Sequence, residues 1–266
     1  MTPDPQFPFV AVDVGNSRTK LGLFQVPLAA GLPAPLRSLS LDDWDPQKVE
    51  AWLSQTDSQH SSAFRWRISS VNRPMAAKVL DWLGQRPGED FRQLAAADLP
   101  LAVAVERPDL VGMDRLVNAI AANSLRSAER PAIVISVGSA ITVDLVSADG
   151  TFRGGTILPG IAMSARALHD YTDLLPLISM SELGVAPPVL GTATISAMRS
   201  GLFWGAVGAM RELIGRLSAG LPVPQVYLTG GAAPAVAHLL AAPDGRSAEY
   251  VPHLTLGGVA LAGSGQ

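Results

Sequence analysis

The sequence predicts an α/β protein built from two related halves with a ligand between them. Two stretches, 9–24 and 132–147, share one pattern: an apolar strand, a turn that contains glycine, and a second strand. Helix-like spacing of apolar residues follows in each half, at 74–83 and 114–125 and again at 194–217. The shared pattern is short enough to arise by chance, so the relation between the halves is an expectation.

Composition excludes several classes of protein. The 266 residues are 48% hydrophobic, enough for a sizeable core in one large domain or two modest ones. A net charge of -3 and the lack of a Lys/Arg cluster argue against a nucleic-acid partner. The chain has no cysteine, which excludes disulfides and thiolate sites and fits a reducing compartment. Without a signal-peptide pattern or a long apolar run, we expect a cytoplasmic protein with no membrane partner.

The first half is predicted to contain three strands and two helices. The strands lie at 9–14, 19–26 and 65–71, and the helices at 74–83 and 114–125. A loop rich in Pro, Gly and Ala is expected at 27–35, and a connection of undefined form at 88–100. Asp114 stands where the second helix needs an N-terminal cap or a first-turn acid.

The second half is predicted to repeat this alternation. Strands at 132–137, 141–147 and 151–157 are followed by a long helix at 194–217 and a strand at 225–228. Glycines in the long helix permit close packing, either in the core or in a dimer contact. The strand at 225–228 ends in Thr229-Gly230-Gly231, and a helix from about 234 can direct its N-terminus at an anion.

The hairpin at 9–24 has the chemistry of a phosphate-binding loop. Gly15 lets the backbone approach an anion, while Asn16, Ser17 and the turn amides can donate hydrogen bonds to phosphoryl oxygens. Asp13 could hold Mg²⁺ through water, and Lys20 adds positive charge, as does Arg18. The alternative is an ordinary hairpin in which Asp and Asn side chains bond their own turn amides.

Other candidate positions have structural alternatives as well. From the residues alone, Asp114 is better explained as a helix cap, and Thr194 can cap the long helix. The glycine turns at 154–160 and 229–231 suit tight connections as well as phosphate approach. The four histidines, His60, His169, His238 and His253, lack ligand-like spacing with acidic residues, so we interpret them as surface or locally bonded groups.

Seven motifs, taken together and in order, resemble the type III pantothenate kinase family of the acetate kinase, sugar kinase, Hsp70 and actin superfamily. They are Asp13-Val-Gly-Asn-Ser17, Ser69-Ser-Val71, Gly112-Met-Asp-Arg115, Gly138-Ser-Ala-Ile-Thr-Val-Asp144, Gly154-Gly-Thr-Ile-Leu-Pro-Gly160, Thr194 with Ala197-Met-Arg-Ser-Gly201, and Thr229-Gly-Gly231. The resemblance implies two ribonuclease H-like (actin-like) lobes with a nucleotide cleft between them. The expected lobes are 1–115 and 116–266, the second with a dimerisation helix.

The resemblance also implies an activity: ATP-dependent phosphorylation of pantothenate to 4'-phosphopantothenate, the first step of coenzyme A biosynthesis, by a homodimer. Asp114 would be the catalytic base. The implied ATP-binding residues are Asp13, Val14, Gly15, Asn16, Ser17, Arg18, Thr19, Lys20 and Ser139, with Mg²⁺ held through water by Asp13. The implied pantothenate-binding residues are Gly112, Met113, Asp114, Arg115 and Thr194.

Three positions depart from the family pattern. Ser136 replaces an aspartate that helps to hold a monovalent cation (K⁺ or NH₄⁺), Ser139 replaces a threonine, and Val105 replaces a pocket tyrosine. A hydroxyl is a weaker cation ligand than a carboxylate, so we expect little stimulation by potassium. Two alternatives stay open: a non-catalytic nucleotide-binding regulatory homologue, and a kinase of another small alcohol. Asp144, like Asp13 and Asp114, is retained.

Overall fold

A computed structural model describes residues 8–25, 28, 31–55, 63–179 and 185–264. The chain divides into two compact units. Unit 1 comprises Met1–Leu125 together with His253–Gln266, and unit 2 comprises Arg126–Pro252. Of the described helices, none combines the length and apolar character needed to span a bilayer.

Unit 1 is built on a five-stranded sheet with the strand order β3-β2-β1-β4-β5. Strands β1, β2 and β3 are antiparallel neighbours, whereas β4 and β5 run parallel to β1. The elements are β1 (Phe9–Val14), β2 (Thr19–Phe24), β3 (Arg37–Leu41), α1 (Pro46–Leu53), β4 (Arg65–Ser70), α2 (Arg73–Gly84), β5 (Asp90–Gln93), α3 (Met113–Leu125) and, from the end of the chain, α7 (Leu254–Ser264).

The two faces of the unit 1 sheet differ in chemistry. Val10, Val12 and Val14 of β1 pack with residues of α1 and α2 in an apolar core. Because side chains alternate along a strand, Asp13 lies on the opposite face. Helix α7 covers that second face, since a Cβ added at Gly22 would lie 3.2 Å from Leu256. Asp13 therefore lies on the face of the sheet that α7 covers.

Unit 2 repeats the same strand order, β8-β7-β6-β9-β10. Its β6–β7–β8 neighbours are antiparallel, and β9 and β10 continue parallel to β6. The elements are β6 (Ala132–Val137), β7 (Ala140–Val146), β8 (Phe152–Pro159), α4 (Ile161–Asp170), α5 (Thr194–Ser218), β9 (Gln225–Thr229), α6 (Ala233–Val236) and β10 (Glu249–Tyr250). Helix α5 packs Phe203, Val207 and Met210 against alternate residues of β6 and β7.

The structure confirms the α/β class and the repetition of the two halves. The division between the units differs from the expected boundary after 115, because α3 packs closely with α7 in unit 1. A Cβ on Gly258 of α7 would lie 2.0 Å from the Val117 carbonyl oxygen of α3. Strand β2 ends at Phe24, and Val26 of the expected strand, like part of the expected loop 27–35, lies outside the described residues.

Candidate active site

The turn between β1 and β2 is as tight as the sequence suggests. The Gly15 amide donates a 2.9 Å hydrogen bond to the Arg18 carbonyl oxygen, and a Cβ on Gly15 would lie only 3.0 Å from that oxygen. Asn16 and Ser17 are exposed at the tip. The turn therefore presents polar side chains and backbone to solvent, as a phosphate-binding loop requires.

Arg18 makes an ion pair with Asp42, just after β3. Its Nε lies 3.1 Å from Asp42 Oδ1, and both side chains are largely exposed. Such exposed pairs contribute little to stability and break easily. The expected contact of Arg18 with phosphate stays a prediction.

Asp13 is a buried carboxylate next to a lysine and a second acid. Burial raises the pKa of Asp13 to about 6; the nearby Lys20 ammonium opposes this shift, and Asp114 adds to it. Lys20 is the residue opposite Asp13 in the β1–β2 register. The hairpin residues Asp13 and Lys20 thus lie in unit 1 near Asp114, which was predicted from a different motif.

Asp114 lies in the first turn of α3, which begins at Met113. Its Oδ1 accepts a 2.9 Å hydrogen bond from the Arg115 amide, while the Gly112 carbonyl accepts from the same amide at 3.1 Å. The position is that of a first-turn acid, so the interpretation of Asp114 as the helix cap is wrong. Burial raises its pKa, opposed by the backbone hydrogen bond from Arg115 and by the guanidinium charge.

Gly112 has no room for a side chain. A Cβ there would lie 2.6 Å from Asp114 Oδ1 and 3.5 Å from Val71 Cγ1. Glycine at 112 therefore lets the Asp114 carboxylate sit beside the residue that follows β4. Val105, at the position of the family's tyrosine, is half-buried in the segment before α3.

In unit 2, three backbone segments meet around the Gly138-Ser139 turn. The Gly160 amide donates a 3.0 Å hydrogen bond to the Ser139 carbonyl, and the Ala232 amide donates a 3.1 Å bond to the Val137 carbonyl. A Cβ on Gly160 would lie 2.4 Å from the Ser139 carbonyl oxygen. Gly230, with φ of 104°, would meet Val137 at 2.4 Å. Glycine is required at both positions, and the turn is fixed by them.

Hydroxyl groups surround the position of the family's cation-binding aspartate. Ser136 lies between Thr142 of β7 and Thr229 of β9 in the sheet register. Asp144 is buried two residues along β7 from Thr142, and a Cβ on Gly155 would lie 2.5 Å from its Oδ1. On that face of the sheet, the carboxylate of Asp144 therefore lies at the pair Val134–Asp144, two residues along the strands from the pair Ser136–Thr142.

Thr194 is the first residue of α5 and is exposed. The residue that precedes the helix is Ala193, whose amide donates to the Ser196 hydroxyl at 3.1 Å, and Thr194 supplies no cap. The suggestion that Thr194 caps the helix is therefore wrong. Its predicted contact with pantothenate stays a prediction.

Three residues that the sequence did not single out as site residues adjoin the predicted ones. Ser69 is the β4 neighbour of Asp13. Asn118 lies one turn after Asp114 in α3, and His253 precedes α7 with φ of 60°. Burial and the Lys20 charge lower the pKa of His253. In the sequence, Ser69 could have been found from its place in the motif Ser69-Ser-Val71, and Asn118 from its position four residues after Asp114 in the same helix. His60 lies outside the described residues.

Within the described part of the chain, no three His, Asp or Glu side chains cluster closely enough to hold a metal ion by themselves. A magnesium ion carried by nucleotide phosphates needs fewer protein ligands. Asp13 suits that role, because it is a buried carboxylate whose charge Lys20 only partly offsets.

The duplicated sheet, with a glycine turn after the first strand of each copy, defines the class: an α/β protein of the acetate kinase, sugar kinase, Hsp70 and actin superfamily. A family model described as type III pantothenate kinase matches residues 9–216. The chain belongs to the type III pantothenate kinase family.

Curated relatives agree with the family model. The type III pantothenate kinase of Caulobacter vibrioides is 36% identical over 231 residues, which cover 84% of this chain and 86% of the relative. That of Phenylobacterium zucineum is 38% identical over 256 residues, covering 94% and 95%. The resemblance inferred from the seven motifs is confirmed.

Solved structures at low identity share the fold. The activator of 2-hydroxyisocaproyl-CoA dehydratase from Clostridium difficile, with bound ADPNP, has a TM-score of 0.55 at 13% identity and covers 97% of this chain and 95% of its own. The ethanolamine utilization protein EutJ from Carboxydothermus hydrogenoformans has a TM-score of 0.55 at 14% identity, covering 98% and 92%. At such identities the likeness shows the fold alone.

Proposed function

We propose that this protein transfers the γ-phosphoryl group of ATP to the primary hydroxyl of pantothenate, giving 4'-phosphopantothenate and ADP in the first step of coenzyme A biosynthesis. Membership of the family supports the substrate. The observation that carries the chemistry is the half-buried Asp114, whose pKa is raised and whose charge helps to raise the pKa of buried Asp13. Two carboxylates close to each other suit one metal-facing role and one proton-accepting role.

The first loop is proposed to hold the phosphates of ATP. The turn amides of Asn16 to Arg18 are assigned to the phosphate oxygens, the Lys20 ammonium neutralises charge, and Gly15 leaves room for an oxygen near the backbone. Ser139 is assigned to ATP through a turn that Gly160 and Gly230 hold in place. Mg²⁺, when bound, neutralises charge on the transferring phosphoryl group. Asp13 would hold it through water.

Asp114 is proposed as the general base. A primary alcohol is a poor nucleophile at neutral pH, and a carboxylate at hydrogen-bond distance can accept its proton as the oxygen bonds to phosphorus. The raised pKa of Asp114 makes it a better proton acceptor than an ordinary carboxylate. Arg115, the next residue, is assigned to pantothenate or to the charge that develops on the phosphoryl group.

The remaining pantothenate contacts are assigned to Gly112, Met113 and Thr194. Val105 supplies no hydrogen bond where the family has a tyrosine, which predicts weaker binding of pantothenate, since a neutral hydrogen bond contributes about 0.5–1.5 kcal/mol. Ser136 likewise predicts a weak site for K⁺ or NH₄⁺. Neither change removes a group that the transfer itself needs.

We infer that the kinase is a homodimer. Large apolar side chains are exposed on α4, on the segment after it and at the start of α5: Met163 (50% exposed), Tyr171 (88%), Leu174 (85%), Val189 (74%), Leu190 (80%) and Ile195 (45%). Exposed large apolar side chains concentrated in one part of the chain are a feature of protein interfaces. A second copy of the chain is the occupant we propose. We propose that it works in the cytoplasm without a nucleic-acid or membrane partner; the net charge of -3 argues against nucleic acid.

The direct test is an assay of purified protein with Mg·ATP and pantothenate that measures ADP and identifies the phosphorylated product by mass spectrometry. Pantothenate-dependent ADP formation with phosphopantothenate as product supports the proposal. A panel of other small primary alcohols serves as the control. ADP formation only with another alcohol, or none from folded protein, would favour one of the two alternative functions.

A further inference from the structure

Three buried side-chain oxygen atoms in the described part of unit 1 have no hydrogen-bond partner. Oγ1 of Thr19 lies on the apolar-core face of the sheet, like its register partner Val14. The other two are Oγ of Ser69, a residue with 0% exposure, and Oδ1 of Asn118, a residue with 3% exposure. Buried polar atoms are nearly always paired, because an unpaired one has lost its bonds to water without replacement. Local violations of this kind are expected at functional sites.

Ser69 lies directly beside Asp13. The two residues are partners in the parallel β1–β4 register, and paired residues of adjacent strands point to the same face of a sheet. Trp66 and Ile68 of β4 belong to the apolar core on the other face. The Ser69 hydroxyl is therefore on the face that carries the Asp13 carboxylate.

Asn118 lies below Asp114 on α3. Residues four apart share a helix face, and α3 packs against β4 and α7. The first turn of α3 adjoins the end of β4, since a Cβ on Gly112 would lie close to both Asp114 Oδ1 and Val71 Cγ1. The two unpaired oxygens and the two carboxylates thus share the layer between the sheet and α3.

We propose that Ser69 and Asn118 are positioning residues for the carboxylates of Asp13 and Asp114, unpartnered in the free enzyme and hydrogen-bonded in the complex with Mg·ATP. The Ser69 hydroxyl can donate to a carboxylate oxygen, and the Asn118 side chain offers both amide donors and a carbonyl acceptor. Neither group touches the reacting atoms; each fixes the direction that a neighbouring carboxylate faces. The inference rests on the proposed kinase function.

Two adjacent serines give a matched pair of variants. Ser70 follows Ser69 in the chain, but its Oγ accepts from the Asn72 amide and donates to the Asn72 carbonyl, both at 3.1 Å. Removing the Ser70 hydroxyl breaks bonds of the free protein, whereas removing that of Ser69 breaks none. Ser69→Ala and Asn118→Leu are therefore compared with Ser70→Ala in three measurements: Tm of the free protein, the rise in Tm with Mg·ATP, and kcat against KM for pantothenate.

We expect Ser69→Ala and Asn118→Leu to keep or raise the Tm of the free protein and to reduce the rise in Tm that Mg·ATP produces. Each should lower kcat roughly 10- to 100-fold with little change in KM, because one hydrogen bond to a charged group is lost. Ser70→Ala should lower Tm and leave kcat unchanged. A Tm loss in Ser69→Ala as large as in Ser70→Ala, or an unchanged kcat, overturns the inference. If the wild-type protein does not phosphorylate pantothenate, the kinase proposal fails, but the rise in Tm with Mg·ATP still tests the roles of Ser69 and Asn118. Those roles are overturned if Mg·ATP raises the Tm of both variants by as much as it raises that of the wild type.

Discussion

Burial raises the pKa of Asp13 at the end of β1, and the carboxylate of Asp114, in the first turn of α3, raises it further. A nearby negative charge disfavours ionisation of the Asp13 carboxyl, so the native fold carries an unfavourable interaction there. Burial is the larger cause of the shift, and Lys20 only partly offsets it. Such an arrangement lowers stability, and it is retained where metal and phosphate chemistry needs it.

Replacing Asp13 should therefore stabilise the free protein at neutral pH. Its pKa is raised from 3.8 to about 6 on folding, so the native state binds more protons than the unfolded state across that range. Stability consequently falls as pH rises from about 4 to 6. Asp13→Asn should remove this dependence and raise the free energy of unfolding at pH 8 by about 1–3 kcal/mol. Urea denaturation of both proteins at pH 4.5, 6 and 8 measures it.

Asp149 is the matched control. Hydrogen bonds from Ser147 and Thr151 lower the pKa of this exposed carboxyl to about 2, so its ionised form favours the native state above its unfolded pKa. Asp149→Asn should lower stability at pH 8, opposite in sign to Asp13→Asn. A loss of stability in Asp13→Asn as well as in Asp149→Asn would show that the ionised Asp13 carboxylate does not destabilise the native state.

Adding one methyl group at Gly160 should disturb the second loop. The new Cβ would lie 2.3 Å from the Gly138 carbonyl oxygen and 2.4 Å from that of Ser139. Overpacking of this kind moves backbone, so we expect KM for ATP to rise about tenfold or more in Gly160→Ala. Gly84→Ala at the end of α2 is the control, because a Cβ there has nothing within 4 Å. Equal KM values in the two variants would remove the Ser139 turn from the ATP site.

Ser136 should leave the kinase nearly indifferent to potassium. Its neighbours across the sheet are Thr142 and Thr229, so hydroxyls rather than a carboxylate face the position. We expect kcat to differ less than about twofold between potassium and sodium salts of equal ionic strength, and Ser136→Asp to introduce a potassium requirement. A steep, saturable response of the wild-type enzyme to potassium alone would contradict this account.

A charge placed on the exposed apolar surface of unit 2 should break the dimer. Leu174 is 85% exposed, and Leu174→Glu would bury an unpaired carboxylate if this surface is the interface. Size exclusion with light scattering should give the dimer mass for the wild type and the monomer mass for this variant. Leu36→Glu, at a residue 63% exposed in unit 1, should leave the dimer intact. Dimers in both variants would place the interface elsewhere.

The parts of the fold that could be predicted are those where local pattern and burial agree. Strands β1 and β6 are mainly apolar runs that end at glycine turns, and the predicted long helix is observed as α5, from Thr194 to Ser218. Strand β5 escaped prediction because all four of its residues are exposed, so no alternation marks it. Helix α7 is apolar on nearly every side, and a helix without a polar face shows no periodicity to detect.

The site was predictable as residue types but not as contacts. Motifs identified Asp13, Lys20 and Asp114, yet their proximity depends on how α3 packs on the sheet. Ser69 and Asn118 are buried although serine and asparagine are usually exposed. Only tertiary structure shows which polar residues lose their water.

Asp114 as acceptor of the proton of the attacking alcohol is tested by kcat of Asp114→Asn in the pantothenate-dependent assay with Mg·ATP. The amide keeps the shape of the side chain but cannot accept the proton, so kcat should fall roughly 10²- to 10⁴-fold while the thermal unfolding transition is retained. Turnover near that of the wild type would show that Asp114 is not the base.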